Sequence, residues 1–134
     1  MMMSYFMTTV DGYDDRIYPD NYAGAYIDGS ILVIQLTDIS DYGTALYRRL
    51  LGENAPIRFK QVQYSWNQLT EIGEQFLDTI SDSDILVVFS GVSTKGNVFN
   101  IGVERSGFRR ASRYLNALTG NPPITIERSR PVSW

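Results

Sequence analysis

The sequence predicts an α+β fold of two layers, made of two copies of one ββαβ unit that a helix connects. The copies are residues 23–63 and 85–128, and the connecting helix is 65–80. Each copy begins with two apolar runs of β-type residues, continues with an amphipathic helical stretch and closes with a Gly-Asn/Pro loop before another strand. Self-similarity of this kind indicates a repeated structural unit. We therefore expect an N-terminal segment and loop over 1–22, a single α+β domain over 23–134, and two halves that superpose.

Six strands are predicted, as two hairpins with a third strand after each helix. The predicted strands are 22–28, 31–37, 57–63, 85–93, 97–103 and 124–127. Asp28-Gly29-Ser30 between apolar runs is a strong signal for the first hairpin, and Lys95-Gly96-Asn97 is the expected turn of the second. Pro122-Pro123 excludes a helix and begins the last strand. Sheets assembled from hairpins predict largely antiparallel pairing, with the helices on one face.

Three helices are predicted from capping residues and apolar periodicity. Ser40 or Asp41 begins the first helix, and Gly52 ends it in the left-handed region. Ser65 begins the second helix in a capping box with Gln68. The predicted helices are 41–51, 65–80 and 107–119. The period of 3.6 residues assigns these side chains to the buried faces: Tyr42, Ala45, Leu46, Leu50 and Leu51 in the first; Trp66, Leu69, Ile72, Gly73, Phe76, Leu77 and Ile80 in the second; Phe108, Ala111, Leu115 and Leu118 in the third.

The chain contains no Cys and no His among its 134 residues. Without them, no disulfide, Cys/His zinc site or Ser-His-Asp triad can form within the chain. The side chain that most often transfers protons near neutral pH is also missing. We therefore expect a protein that is not an enzyme, with no catalytic residues, no metal and no cofactor.

Charge is unevenly distributed along the chain, although the net charge is only −3. Residues 1–100 contain 6 basic and 13 acidic residues, whereas residues 101–134 contain 6 Arg and 2 Glu. A net charge of this size gives no general attraction to nucleic acid or anionic membranes. No apolar run approaches the roughly 20 residues of a membrane span. We expect neither a nucleic-acid partner nor membrane insertion.

The sequence leaves the compartment open. Absence of Cys is compatible with the bacterial cytosol and with export. Residues 1–7 lack the basic region, the long apolar region and the small-residue cleavage site of a signal peptide. That favours a cytoplasmic location if the chain is complete as given.

Several carboxylates lie close together in the sequence, and each group has a structural explanation. The acidic loop 11–20 fails the calcium-loop spacing, because position 13 is Tyr and no Glu closes the loop. Asp38 with Asp41, or Asp82 with Asp84, are the candidate acid–base pairs. Both pairs lie at helix starts or in loops, where carboxylates cap helices and interact favourably with the helix dipole. We interpret all of them as solvated or capping residues.

Two further patterns involve phosphate or anion chemistry. Gly91–Gly96 contains the residue types of a phosphate-binding loop, but in the wrong order, and a strand rather than a helix follows. Arg105, Arg109 and Arg113 are four residues apart, so they line one helix face near Arg110. Such a face either docks an acidic partner or anion, or is an ordinary solvated helix surface.

Three segments of the sequence resemble a known family. Tyr22–Asp38 contains an aromatic-Ala/Gly-rich hairpin followed by an apolar strand that ends in Thr-Asp, and Phe59–Tyr64 is followed by a helix start at Ser65–Leu69. Asn97–Val103 supplies the opening strand of the second half. These features resemble the pro regions of secreted bacterial chymotrypsin-like serine proteases of the α-lytic protease type. The similarity covers roughly residues 20–128 and agrees with the duplicated two-layer α/β architecture of that family.

The resemblance implies a non-catalytic binding module that acts as folding chaperone and inhibitor of a serine protease. In that family the C-terminal sheet pairs with the protease and the tail occupies the substrate groove. The resemblance also implies secretion. A short last strand with a Pro-containing extension suits such pairing. The resemblance and the charge pattern together assign these residues to a partner surface: Arg109, Arg113, Ile124, Ile126, Arg128, Arg130 and Trp134.

Two alternatives stay open. The first is a stand-alone small bacterial protein that binds a small ligand in a cleft, which an apolar pocket with converging polar groups would favour. The second is an acid–base enzyme that uses Asp and Tyr. An exposed edge strand beside an extended tail would favour the pro-region interpretation. In the sequence as given, no protease domain follows Trp134 and no signal peptide precedes Met1, so the chain is compatible with an excised region and with a stand-alone relative that kept the fold and lost the partner.

Overall fold

The structure is a computed structural model that describes residues 18–52, 54–81 and 83–129. Within these residues the fold is α+β, with two three-stranded sheets and three α-helices, and the predicted fold class is confirmed at this level. The strands are β1 (Tyr22–Asp28), β2 (Ile31–Leu36), β3 (Ile57–Gln61), β4 (Val87–Ser93), β5 (Val98–Glu104) and β6 (Ile124–Ser129). The helices are α1 (Asp41–Leu51), α2 (Trp66–Ile80) and α3 (Phe108–Asn116), and a single 3₁₀ turn (Arg105–Gly107) precedes α3.

The chain divides into two compact units between Asn67 and Gln68. Unit 1 contains β1, β2, α1 and β3, and unit 2 contains β4, β5, α3 and β6. The division falls near the start of α2, which begins in unit 1 and continues in unit 2. Each unit therefore has a hairpin, a helix and a third strand in the same order.

Both sheets are mixed, which corrects the expectation of largely antiparallel pairing. β1 pairs with β2 and β4 with β5 in antiparallel fashion, but β3 pairs with β2 and β6 with β5 in parallel. The physical reason is the helix between the second and third strands. It carries the chain back along the sheet, so the third strand starts at the same end as the second and runs in the same direction.

The parallel pairs of the two units have the same register. Leu32 pairs with Ile57 in unit 1, and Phe99 pairs with Ile124 in unit 2, so each partner lies 67 positions after its counterpart. In both units the residue on the second strand also donates its N–H to the carbonyl of the proline before the third strand, at 2.9 and 2.8 Å. One constant offset thus relates the second strand and third strand of unit 1 to those of unit 2.

The core of unit 1 is aromatic and hydrogen-bonded. Tyr22, from β1, and Tyr47, from α1, are buried beside Ile34 and Leu36 of β2. The Tyr47 hydroxyl donates to Asn21 Oδ1 at 3.0 Å. These contacts attach α1 to the sheet through both apolar and polar groups.

The buried face of α1 differs from the predicted one. Tyr42 is 90% exposed and Ala45 is exposed, whereas Gly43, Thr44 and Tyr47 are buried. Gly43 lies so close to Asp38, in the loop after β2, that a Cβ would be 2.1 Å from the Asp38 backbone oxygen. The close approach rotates the helix so that Tyr47 rather than Tyr42 enters the core. Leu46, Leu50 and Leu51, which the period also assigned to this face, do pack against the core cluster.

Unit 2 has a mainly aliphatic core. Phe76 and Ile80 of α2 pack with Ala111 of α3 and with the inward residues of β5 and β6; those inward residues are Phe99, Ile101, Val103 and Ile124. The predicted α2 stripe is confirmed, with Gly73 so close to the Phe99 ring that a Cβ would lie 2.2 Å from it. Leu118 is a correction: α3 ends at Asn116, before this residue, which is 41% exposed.

Candidate functional site

β6 lies at an edge of its sheet. The order is β4-β5-β6, so within the described part of the chain β6 has one neighbouring strand. The Phe99 N–H donates to the Pro123 carbonyl, which sets the phase of the parallel ladder. In a parallel ladder with that phase, the backbone groups of Ile126 and Arg128 point away from β5. Such outward N–H and C=O groups can pair with another strand.

The side chains of β6 are divided between the core and solvent. Ile124 is 7% exposed and Ile126 is half-buried, and both pack in the unit 2 core. Thr125 and Glu127 are exposed, and the Thr125 hydroxyl donates to Asn100 Oδ1 at 2.8 Å. The two isoleucines that the sequence assigned to a partner surface therefore offer a partner mainly their backbone atoms.

An open cleft of about 420 Å³ lies beside the C-terminal end of β6. Its lining residues, which we name the arginine groove, are Arg105, Ser106, Phe108, Arg109 and Arg128. They come from the chain after β5, the first turn of α3 and the end of β6. Ligand sites in sheets with parallel strands are commonly found at the carboxyl ends of those strands. The arginine groove occupies this position in unit 2.

Within the described residues, no carboxylate forms an ion pair with the cationic groups of the groove. The Arg128 guanidinium lies over the Phe108 ring, 4.6 Å from its centroid. Contacts of this kind contribute about 0.5–1 kcal/mol at exposed sites and direct the guanidinium toward the helix. Arg105 and Arg109 are exposed, and none of the three arginines forms a salt bridge with a carboxylate of the described residues. Three positive charges thus converge on one open surface.

The start of α3 adds to this positive potential. Its N-cap is Gly107, which provides no side-chain hydrogen bond, and its first turn contains no acidic residue. Uncapped N–H groups and the helix dipole place a partial positive charge at a helix N-terminus.

At the corresponding helix start in unit 1, neighbouring side chains accept hydrogen bonds from the backbone N–H groups. Ser40 is the N-cap of α1, and its hydroxyl accepts a hydrogen bond from Gly43 N at 3.2 Å. Asp38 Oδ1 accepts from the Ser40 N–H at 2.9 Å, and the hydrogen bonds from Ser40 lower the pKa of this carboxyl. Asp41 provides an acidic residue in the first turn. Of the two predicted N-caps, Ser40 and Asp41, the structure has Ser40.

The remaining predicted site residues lie elsewhere. Arg113 is exposed on α3 but does not line the groove. Arg130 and Trp134 lie outside the described residues, as does the acidic loop before Tyr18. Gly91–Gly96 forms the end of β4 and the turn to β5. The groove members that sequence reasoning missed are Ser106 and Phe108, for which the sequence offered no signal beyond proximity to Arg105.

A second cleft, of about 360 Å³, lies in unit 1. It is lined by Ile39, Arg48, Gly52, Ala55, Ile57, Arg58 and Phe59. Its arginines are already engaged: Arg48 Nε donates to Thr44 Oγ1 at 2.9 Å and its guanidinium lies over the Phe59 ring, while Arg58 pairs with Asp28 at 3.2 Å. This cleft therefore offers apolar surface rather than unpaired charge.

Neither a metal cluster nor a membrane-spanning helix is found in residues 18–52, 54–81 and 83–129. These residues contain no group of three or more Asp, Glu, Cys or His side chains that could hold a metal ion. Among the helices within these ranges, α2 is the longest at 15 residues, and none combines the length and apolar character needed to cross a bilayer. No protein-family model matches the chain, and a search of curated proteins finds no match.

Proposed function

We propose that this protein is a non-catalytic binding module that receives a protein partner along the β6 edge, in the manner of the pro regions of α-lytic-type serine proteases. The observation that carries the proposal is the edge position of β6, with the backbone groups of Ile126 and Arg128 directed away from β5. Main-chain hydrogen bonds to such an edge supply affinity in strand-addition complexes. The positive charge of the adjacent arginine groove contributes to specificity for the partner.

The proposal includes an internal duplication of the ββαβ unit. Its support is the constant offset of 67 positions between the parallel pairs Leu32–Ile57 and Phe99–Ile124. A duplicated two-layer unit is also what the resemblance to the pro regions implies. Superposition of the two units over their second strand, helix and third strand tests the duplication. A different path of the helix relative to the sheet in one unit would contradict it.

As a folding chaperone, such a module acts by binding the folded partner more tightly than the unfolded one. The stabilisation then follows mass action, with about 2.7 kcal/mol at a concentration one hundred times Kd. Nothing in this role requires a nucleophile or a titrating base. The absence of Cys and His from the chain is compatible with it.

The alternative function is binding of a small ligand in a cleft. The unit 1 cleft of about 360 Å³ favours it, because this volume falls in the range of small-molecule sites. Half-buried Ile57 and Phe59 would supply the apolar contacts. Substitution of Phe59 by Ala, with a small-molecule thermal-shift screen as readout, separates this function from the strand-pairing one.

The proposed function is tested by measuring binding and inhibition of secreted bacterial serine proteases with the full chain. Ile126→Pro removes an outward N–H without removing a hydrogen bond to β5. Ile126→Val is the matched control, because it keeps this N–H. We expect Ile126→Pro to weaken binding at least about tenfold, because a hydrogen bond is lost and the ring obstructs pairing. We expect Ile126→Val to stay within about twofold, and circular dichroism checks that both variants are folded.

Deletion of residues 130–134 tests the tail separately. These residues follow β6, which the structure extends to Ser129, so the strand is left intact. We expect inhibition to fall more than binding, because the resemblance assigns the tail to the substrate groove. Equal binding by wild type and Ile126→Pro, or no binding to any protease, would overturn the proposed function.

A further inference from the structure

We propose that the arginine groove binds the carboxylate side chains of an acidic protein segment. The proposal rests on the proposed function in one respect, that the partner is a protein, and it names the chemistry by which unit 2 recognises that partner. Arginine presents a planar fork of N–H donors that matches a carboxylate in two parallel hydrogen bonds. Three such forks line the groove, and none is used by a carboxylate of the described residues.

The first argument comes from the two helix starts. Ser40 and Gly107 are the N-caps of α1 and α3, and they are separated by the same 67 positions as the strand pairs. With this offset, Asp38 of unit 1 corresponds to Arg105 of unit 2. Unit 1 therefore provides a carboxylate beside its helix start, and unit 2 provides a guanidinium in the equivalent place. The first turn of α3 contains no acidic residue, and the position equivalent to Asp38 holds a guanidinium, with which a carboxylate from another protein would pair.

The second argument concerns Arg128 and Phe108. The Arg128 guanidinium lies over the Phe108 ring, and this cation–π contact favours a position of the charge at the groove. A cation held in place loses less side-chain entropy when it binds an anion. Phe108 is half-buried and also offers apolar surface to the methylene stem of a glutamate.

The third argument identifies a protein segment, rather than a small anion, as the occupant. Arg105 and Arg109 are exposed, and the cleft is open, so a small ion would remain largely hydrated. The groove lies at the end of the β6 edge, and the Arg128 backbone itself points outward there. A strand paired with β6 would place alternate side chains about 6–7 Å apart along this edge. Residues 101–134, with 6 Arg and 2 Glu, are complementary to an acidic segment.

The proposal is tested with a fluorescent octapeptide of alternating Glu and Val, amidated at its C-terminus, by anisotropy at about 0.15 M salt. The Gln–Val peptide of the same length is the neutral control. We expect the Glu–Val peptide to bind at least tenfold more tightly than the Gln–Val peptide. Arg105→Gln and Arg128→Gln should each weaken binding about tenfold, consistent with loss of a charge-assisted hydrogen-bonded pair. Arg110→Gln, on α3 outside the groove, and Arg49→Gln, in unit 1, should stay within twofold.

Several results would overturn the proposal. Equal losses in Arg110→Gln and Arg105→Gln would mean diffuse attraction without a site, and absence of wild-type binding would exclude the site. If inorganic phosphate displaced the peptide at a phosphate concentration below that of the peptide, the groove would be assigned to small anions. A free-acid peptide that binds tenfold more tightly than the amidated one would assign it to a terminal carboxylate instead.

Ile126→Pro separates this proposal from the proposed function. Peptide binding that survives Ile126→Pro but is lost in Arg105→Gln supports the groove and contradicts pairing along β6. Peptide binding that is lost in Ile126→Pro but survives both arginine substitutions supports pairing and contradicts the groove.

Discussion

The helix starts of α1 and α3 have equivalent places in their units and opposite chemistry. In unit 1, Asp38 and Ser40 satisfy the helix start internally through hydrogen bonds of 2.9 and 3.2 Å. In unit 2, the N-cap Gly107 provides no side-chain hydrogen bond, and Arg105 and Arg109 place positive charge beside the helix start. The parallel strand pairs have the same register in both units. The comparison teaches that two units with the same parallel strand register can have opposite charge at the helix start, because a few loop residues decide that charge.

The cores of the two units differ as well. Unit 1 holds its helix through tyrosines, including the stacked pair of Tyr22 and Tyr47, whose ring centroids are 6.4 Å apart. Unit 2 relies on aliphatic packing around Ile101 and Val103. Buried hydroxyl groups make unit 1 sensitive to the loss of a specific hydrogen bond and to high pH, and unit 2 has no such dependence among its described core residues.

The largest expected effect is the loss of Tyr47. Tyr47→Ala should lower the free energy of unfolding by about 3–5 kcal/mol, because a fully buried aromatic side chain is removed. Tyr47→Phe should cost only about 1 kcal/mol, for the lost hydrogen bond to Asn21. Urea denaturation measures both. Tyr42→Ala, on the same helix at 90% exposure, is the control and should change stability by less than about 0.5 kcal/mol. A larger effect at Tyr42 than at Tyr47 would contradict the observed orientation of α1.

As the pH rises, unit 1 should lose stability at a lower pH than unit 2. Burial raises the pKa of Tyr22 to about 12, and the neighbouring Tyr18 adds to the shift; burial also raises the pKa of Tyr47. The folded state therefore keeps protons that the unfolded state loses near pH 10. The stabilisation is complete below about pH 10 and is lost as the pH rises toward 12.

Hydrogen exchange with mass spectrometry checks this prediction. Amides of β2 should lose protection between about pH 10 and 12, at a lower pH than amides of β5, after correction for the intrinsic exchange rate. The reason is that Tyr114, the one tyrosine in the unit 2 sequence, is 37% exposed and lies outside the core cluster. Simultaneous loss in both strands would mean that the units unfold together.

Arg105→Asp makes the helix start of unit 2 resemble that of unit 1. A carboxylate beside the uncapped start of α3 should raise the free energy of unfolding by about 0.5–1 kcal/mol. The same variant should lose binding of the Glu–Val peptide. Arg113→Asp, in the last turn of α3, is the control and should not stabilise the fold, because a carboxylate is unfavourable at that end of the helix dipole. Thermal unfolding measures the difference, and a destabilised Arg105→Asp would show that the two helix starts are not equivalent.

The smallest expected effect concerns Gln35, whose side-chain amide is fully buried and has no hydrogen-bond partner among the described residues. With the same offset, its counterpart in unit 2 is Gly102, and the Phe89 ring lies close over that glycine. Gln35→Leu removes an unsatisfied polar group and keeps the volume, so stability should stay unchanged or rise by up to about 1 kcal/mol. Urea denaturation detects the change. A loss above 1 kcal/mol would reveal a partner for the amide.

The sequence by itself determined the local features of this protein. The Asp28-Gly29-Ser30 turn, the Ser40 N-cap and the α2 stripe were predicted, and the structure has each of them. These features depend on residues within one turn or hairpin, where propensity and hydrogen bonding are local. The predicted β3 and α3 are shorter in the structure and β6 is longer, because strand and helix ends depend on neighbours from other parts of the chain.

Only the tertiary structure decided the parallel third strands, the face of α1 and the arginine groove. Periodicity gave α1 an apolar stripe, but the close approach at Gly43 selected Tyr47 over Tyr42. The sequence grouped Arg109 with Arg113 along one helix, whereas the register of β6 on β5 brought Arg128 into the groove with Arg109. Strand register joins residues that are distant in sequence, and no local propensity specifies that alignment.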